Sequence, residues 1–276
     1  MTTTDESLAN LLASTKLHPF PTVAIRLMQQ IAQEQVSFVE VGDLLKTDAA
    51  MSASVLRAAN SPLFGVRGEI KSISLALVTL GMDRVSLLIL TSAMLRLVPG
   101  NQPTQVLRPW WRHNLATALF CKHLTVQDMT SEYGYMCGLM HSVGQLALFQ
   151  SFPNKYASVI AEAAVHERDL QVVERANFGV DHCELGAALL TKWNIPVEIV
   201  DAAAHHHSPA EGRTPFTQLV NISCSVSNHL GFAIAPRPPK STEDLPTLAQ
   251  ELINNERLCL EISAAVDAIE ASIGSV

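Results

Sequence analysis

Apolar positions recur at three- and four-residue spacing through nearly the whole chain, and that period predicts helices. Val23, Leu27, Met28 and Ile31 form one such stripe, entered through Pro19 and Pro21. Ser37-Phe38-Val39-Glu40 has the form of a capping box, the serine accepting from the Glu40 amide while the carboxylate reaches back, so a helix is expected from there to about Lys46. Asp48 can cap a third helix through Val55 and Leu56, which Ser61-Pro62 stops. Ser72 to Leu80 predicts a helix closed by Gly81, and a long apolar helix follows to about Val98. Its segment Val85 to Leu95 is 11 residues long, short of the roughly 18 that a membrane span needs, and reads as core.

Pro99-Gly100-Asn101-Gln102-Pro103 is the clearest break in the pattern. Beyond it the periodicity predicts helices near 108–125, 131–150, 154–168, 181–193, 196–206 and 215–231. Pro236-Arg237-Pro238-Pro239 reads as a second linker, with tail helices to about 272. No segment sustains period-2 alternation, and no short repeat is present. The expected class is all-α, with an N-terminal helical lobe over 16–98, a histidine-bearing lobe over 104–212 and C-terminal helices over 213–276.

Composition narrows the picture. Hydrophobic residues make up 48% and charged residues 16%, enough for a large buried core and against disorder. The five cysteines (Cys121, Cys137, Cys183, Cys224 and Cys259) are scattered and form no Cys-x-x-Cys pair, which favours reduced thiols. The first residues lack the basic start and apolar stretch of a signal peptide, so the expected location is cytoplasmic. Net charge is −7; residues 1–100 balance, whereas residues 241–276 hold seven acidic groups and only Arg257. With no basic stripe, nucleic acid is not an expected partner, nor is a membrane. The acidic tail is either a solvated helix face or a docking surface for a basic partner.

The histidines carry the candidate chemistry. His113 lies in Trp111-Arg112-His113-Asn114, His141 in Gly138-Leu139-Met140-His141-Ser142-Val143-Gly144-Gln145, and His182 follows Asp181; His205-His206-His207 form a triplet. Each has a plain alternative: His123 and His229 read as hydrogen-bonded core residues, Cys137 and His141 at i,i+4 as packing partners, and the triplet as a polar helix end. Gly138 and Gly144 fit close backbone approach or simple helix packing.

In order and context the set resembles the HD superfamily of metal-dependent phosphohydrolases, in which metal ions polarise a phosphoryl oxygen and activate water. The resemblance implies metal ligands at His113, His141, His182, His206 and His207, with a one-residue shift toward His205 open. Ser142 stands where the HD aspartate belongs, Gln145 replaces a phosphate-meeting lysine, and Cys224 occupies the place of a final aspartate near Asn221-Ile222-Ser223-Cys224. Neutral nitrogens can hold one borderline divalent metal, with or without a Cys224 thiolate, but they leave no carboxylate to bridge two.

The N-terminal lobe points to a subgroup. Leu17-His18-Pro19-Phe20-Pro21-Thr22-Val23, Leu44 to Met51, Leu56-Arg57-Ala58-Ala59-Asn60-Ser61-Pro62-Leu63-Phe64-Gly65 and Ser72 to Gly81 resemble, in order, motifs of the HDOD family, the HD-related output domain, over roughly residues 16–212. Asn60 is expected to cap backbone groups in its turn. The resemblance implies a bacterial, all-helical signalling module, generally without demonstrated phosphohydrolase activity, whose relatives often accompany receiver, GGDEF or EAL-type domains. None of those is recognised here, so regulation is expected in trans. The expectation is a non-catalytic regulator acting through protein partners, with no cofactor required. The alternatives are a divergent phosphodiesterase for cyclic dinucleotides or nucleotides, and a non-hydrolytic nucleotide or metal sensor.

Overall fold

Caps and apolar stripes set the first helices of the N-terminal lobe. The computed structural model describes residues 3–32, 37–61, 65–66, 68–98, 104–125, 131–234 and 241–273. After α1 (Thr3–Ser14), which the periodicity did not announce, α2 (Thr22–Ala32) buries Val23, Leu27, Met28 and Ile31. It begins where the Pro21 carbonyl accepts the Ala24 and Ile25 amides. The Asp48 side chain accepts from the Met51 amide at 2.9 Å and starts α4 (Ala49–Ala59). Asn60 closes the turn after it: Nδ2 donates to the Leu56 and Ile70 carbonyls, and Oδ1 accepts the Ile70 amide at 2.7 Å. Ser72 caps α5 (Ile73–Leu80), and α6 (Met82–Arg96) is buried from Val85 through Met94 apart from half-buried Leu87.

The proposed breaks at 99–103 and 236–239, and Pro62 to Phe64, lie outside the described residues. The apolar core is continuous from Leu11 to Val266, so the N-terminal helices and the histidine-bearing helices share it. In the histidine-bearing part, α7 (Thr104–His123) packs on α8 (Ser131–Met140), on α14 (Pro215–Ser227) and on α16 (Glu256–Ile273). A second layer pairs α12 (His182–Lys192) with α9 (Val143–Ser151) and α13 (Val197–His205). No strand occurs among the described residues, and the class is all-α. No described helix is long and apolar enough to cross a membrane.

Several expectations are corrected. Ser37 precedes α3 (Phe38–Lys46) in extended conformation but makes no side-chain cap, and the Glu40 carboxylate, instead of reaching back, accepts from Gln30 at 2.9 Å. The expected helix over 131–150 is two helices broken at His141-Ser142, where the Ser142 carbonyl takes the Trp110 indole N–H at 3.2 Å. The expected helix over 154–168 ends at Val165 (α10, Pro153–Val165), and a further helix, α11 (Leu170–Phe178), follows. Helix α14 stops at Ser227 and gives way to a wider π turn over Asn228–Phe232. His123 is exposed at the end of α7, and His229 is half-buried rather than core.

The tail is not simply solvated. Glu270 of α16 is buried and receives Arg108 through both carboxylate oxygens (2.6 and 3.2 Å) and Arg112 at 2.7 Å. Asp267 pairs with the same Arg112 at 2.7 Å. The Arg108 hydrogen bond, with Arg112 beside it, holds the Glu270 carboxyl below its ordinary pKa. All five cysteines are free and buried.

Candidate metal centre

Two glycines place His141. A Cβ on Gly138 would stand 2.6 Å from Ala118 Cα, and one on Gly144 would stand 2.0 Å from the His182 carbonyl oxygen and 2.8 Å from Gly186 N. These contacts involve backbone that cannot swing aside, so α8 meets α7, and α9 meets α12, only because both residues lack side chains. The break between α8 and α9 then points His141 into the space bounded by α7, α12 and the segment after α13.

Five imidazoles converge there. Ring centroids of His113 and His141 are 5.3 Å apart, His141 and His206 4.8 Å, His206 and His207 4.2 Å, and His182 and His207 5.2 Å. Carbonyl oxygens only accept, so Nδ1 donates in three of these rings: His113 to Phe232 (3.2 Å), His141 to Gly138 (2.7 Å) and His206 to Ala203 (3.0 Å). The π turn after α14 delivers the Phe232 carbonyl. Such bonds fix the tautomer and leave Nε2 with a lone pair, the arrangement usual for metal-ligating histidines.

His182 is held by a carboxylate that the sequence reading overlooked. Fully buried Glu174, on α11, accepts His182 Nδ1 at 2.6 Å and the His182 amide at 2.9 Å through Oε2, and the Tyr156 hydroxyl at 2.6 Å through Oε1. Asp181 starts α12 through a capping box with Glu184 and an ion pair with Arg175. His205 turns away to Asp201 (3.2 Å), whose other oxygen gathers Arg213, Thr214 and Thr217. That clamp shapes the loop so that His206 and His207, not His205, face the cluster. Asn221 supports it by donating to the His206 carbonyl at 2.7 Å.

Electrostatics keep most of the cluster neutral. Burial pushes His113 down to about 4 and holds His141 and His206 well below the ordinary imidazole value, with neighbouring imidazoles adding to the effect. His207 is open to solvent on one side, yet crowding on its other sides and nearby His182 bring it to about 3. His182 is the exception: burial opposes its protonation, but adjacent Cys183 and Glu174 outweigh that and raise it well above the ordinary value.

The three positions where the HD resemblance leads one to expect charged groups carry neutral side chains. Ser142 Oγ donates to Asn114 Oδ1 at 2.9 Å, and Asn114 Nδ2 donates to the Trp110 carbonyl, so this corner stitches α7 to the α8–α9 turn. Gln145 presents a buried Oε1 with no hydrogen-bond partner beside a cavity of about 10 Å³ lined by Trp110, Phe149, Tyr156 and Ile234. Cys224 Sγ lies 3.5 Å from His113 Nε2. Among the described residues two groups of donor atoms lie within 4.8 Å of one another: His182, Cys183, His206 and His207, and His113, His141 and Cys224. Neither contains a carboxylate. The donor set therefore fits a borderline cation better than the oxygen-seeking ones. Cys137, one turn before His141, packs in the apolar core and belongs to neither group. Cys183 was given no role by the sequence; its position beside His182 was the available signal.

An all-helical scaffold that brings histidines from the α7 helix, the α8–α9 turn, the start of α12 and the end of α13 into one pocket is HD-like in class. The HDOD domain profile matches residues 17–209, and the chain belongs to the HDOD domain family. Among solved structures, an HDOD domain protein of unknown function from Geobacter sulfurreducens is 23% identical, with TM-score 0.76 over 97% of this chain and 96% of that one. A candidate phosphohydrolase from Shewanella amazonensis SB2B is 21% identical with TM-score 0.72, covering 97% and 98%. A candidate signal transduction protein from Marinobacter aquaeolei VT8 is 21% identical with TM-score 0.75, covering 99% of this chain and 65% of that one. At these identities the likeness speaks for the fold. An uncharacterized protein of Treponema pallidum is 22% identical over 221 residues, and the chain spans 43% of that relative's length.

Proposed function

We propose that this chain is a non-catalytic HDOD regulator that passes a signal to protein partners, with its histidine pocket retained as a structural or ligand-responsive element. The observation that carries this reading is the hydrogen bond from Ser142 to Asn114. Where HD-type hydrolysis needs a carboxylate to hold and bridge cations, two neutral side chains satisfy each other and tie helices together. Gln145 offers no positive charge to a phosphate. Glu174 does not replace the missing aspartate. Its Oε2 is occupied by the backbone and ring of His182, and Oε1 by Tyr156, so it orients a ligand instead of bridging. A metal or nucleotide bound here would act as a signal, not a substrate. The lack of a basic stripe supports protein partners over nucleic acid.

The test is direct. The purified chain, supplied with Mn²⁺, Fe²⁺ or Mg²⁺ and a panel of cyclic dinucleotides and nucleotides, is expected to release no product above a metal-only blank. Hydrolysis that disappears in His141→Ala would overturn the reading.

A further inference from the structure

Two sulfurs enter the histidine pocket, and one of them, Cys183, has no counterpart in the ligand set that the HD resemblance supplies. We infer that the pocket takes one zinc-class cation, held by the Cys183 thiolate and the imidazoles of His182, His206 and His207. The inference rests on the reading of a carboxylate-free pocket and specifies which cation such a pocket selects.

The donors are already close to the required arrangement. Tetrahedral zinc, with bonds of about 2.0–2.1 Å to nitrogen and about 2.3 Å to sulfur, sets N···N at roughly 3.3 Å and S···N at roughly 3.6 Å. His182 Nε2 and His207 Nε2 are 3.2 Å apart, and Cys183 Sγ is 4.0 Å from His206 Nε2. The four donors all lie within 4.8 Å of one another, so the side chains have to draw together around a cation to complete a tetrahedral shell. The outward sides of three donors are also engaged. Glu174 holds His182 Nδ1, the Ala203 carbonyl holds His206 Nδ1, and the Gln171 amide donates to Cys183 Sγ at 3.4 Å. An N–H donor aimed at sulfur stabilises the thiolate once a cation has displaced its proton, against the burial that raises the free thiol, and a carboxylate–histidine pair strengthens the imidazole as a ligand.

One soft sulfur with three imidazoles selects zinc over magnesium or manganese, which prefer oxygen. Binding forms one metal–sulfur and three metal–nitrogen bonds and displaces two protons to solvent, one from the Cys183 thiol and one from the His182 imidazolium. Four protein donors fill a tetrahedral shell and leave no open position, as in structural rather than catalytic zinc sites. The second group, His113, His141 and Cys224, offers three donors and is the rival location.

Cobalt(II), titrated into the metal-stripped full chain as a coloured stand-in for zinc, separates these outcomes. The expected result is one equivalent bound, with strong tetrahedral visible bands and a near-ultraviolet sulfur-to-cobalt charge-transfer band. Cys183→Ser should abolish the charge-transfer band, and Cys224→Ser should leave it. A complex without that band, or a band that survives Cys183→Ser, overturns the inference. If Cys183→Ser does not fold, as judged by circular dichroism, His207→Ala at the accessible rim serves instead. It should weaken cobalt binding at least about tenfold, and unchanged affinity overturns the inference. Hydrolysis of a phosphodiester by a cobalt protein with the sulfur band intact would sink the non-catalytic reading and leave the coordination standing; an absent band without hydrolysis would do the reverse.

Discussion

Glu174 is, after Cys183, the second group that raises His182. Among the described residues it is the only carboxylate bonded to one of the five clustered imidazoles, and it sits fully buried between the His182 ring and the Tyr156 hydroxyl. Glu174→Gln keeps the shape and one acceptor but removes the charge that, with Cys183, raises His182. The variant should lose about 1.5–3 kcal/mol of stability, the range for hydrogen bonds to a charged group. The His182 ring should also titrate at a lower pH, read from ring-nitrogen NMR. An unchanged His182 titration would show that Glu174 does not set its charge. Gly144 matters for a different reason, since a methyl group there meets the His182 and Gly186 backbone. Gly144→Ala should cost about 1–3 kcal/mol through overpacking. That corresponds to a fall in Tm of roughly 2–4 °C per kcal/mol for a chain of this size, and an unaltered melting curve would mean that α9 and α12 can move apart freely.

Helix α16 is fastened to α7 by charge as well as by Val266 and its apolar neighbours. Its Glu270 carboxyl is depressed below the ordinary 4.5 by Arg108 first and Arg112 after it. A carboxyl lowered in the folded state adds stability that is fully present above the ordinary value and is lost as pH falls through the folded one. Intrinsic amide exchange slows with acidification, so the signature is a fall in the protection factors of α16 amides as pH drops below about 4.5, while those of α12 hold. Glu270→Gln should remove most of that extra pH dependence; a variant with the same acid sensitivity would assign it elsewhere. The same pairing consumes two of the tail's acidic groups, which leaves a smaller surface for any basic partner than the sequence suggested. Helix α11 shows how a short element escapes a periodicity reading. Asp169 at its start and Gly179 at its end were visible signals, but its inward glutamate looks like a solvated residue until Tyr156 and His182 supply partners.

The whole molecule was legible in class and in order. Caps at Asp48 and Ser72, the stripe through Ile31 and the buried run in α6 follow from local chemistry that the chain states outright. What escaped depends on contacts between distant segments. The break at His141-Ser142 is held by Trp110 and Gly138, not by a proline. His205 leaves the cluster because Asp201 captures it, and Cys183 joins because His206 approaches from 23 residues away. The five histidines named from the sequence do meet in one place, and Ser142 beside His141 bonds to Asn114. The account therefore turns on cation count and bridging. Crystals grown with zinc and, separately, with manganese, and recorded at each metal's absorption edge, test it most directly. The predicted result is a single cation bound by sulfur and nitrogen, with no carboxylate oxygen touching it. Two cations in the pocket, joined by an aspartate or glutamate oxygen, would contradict it.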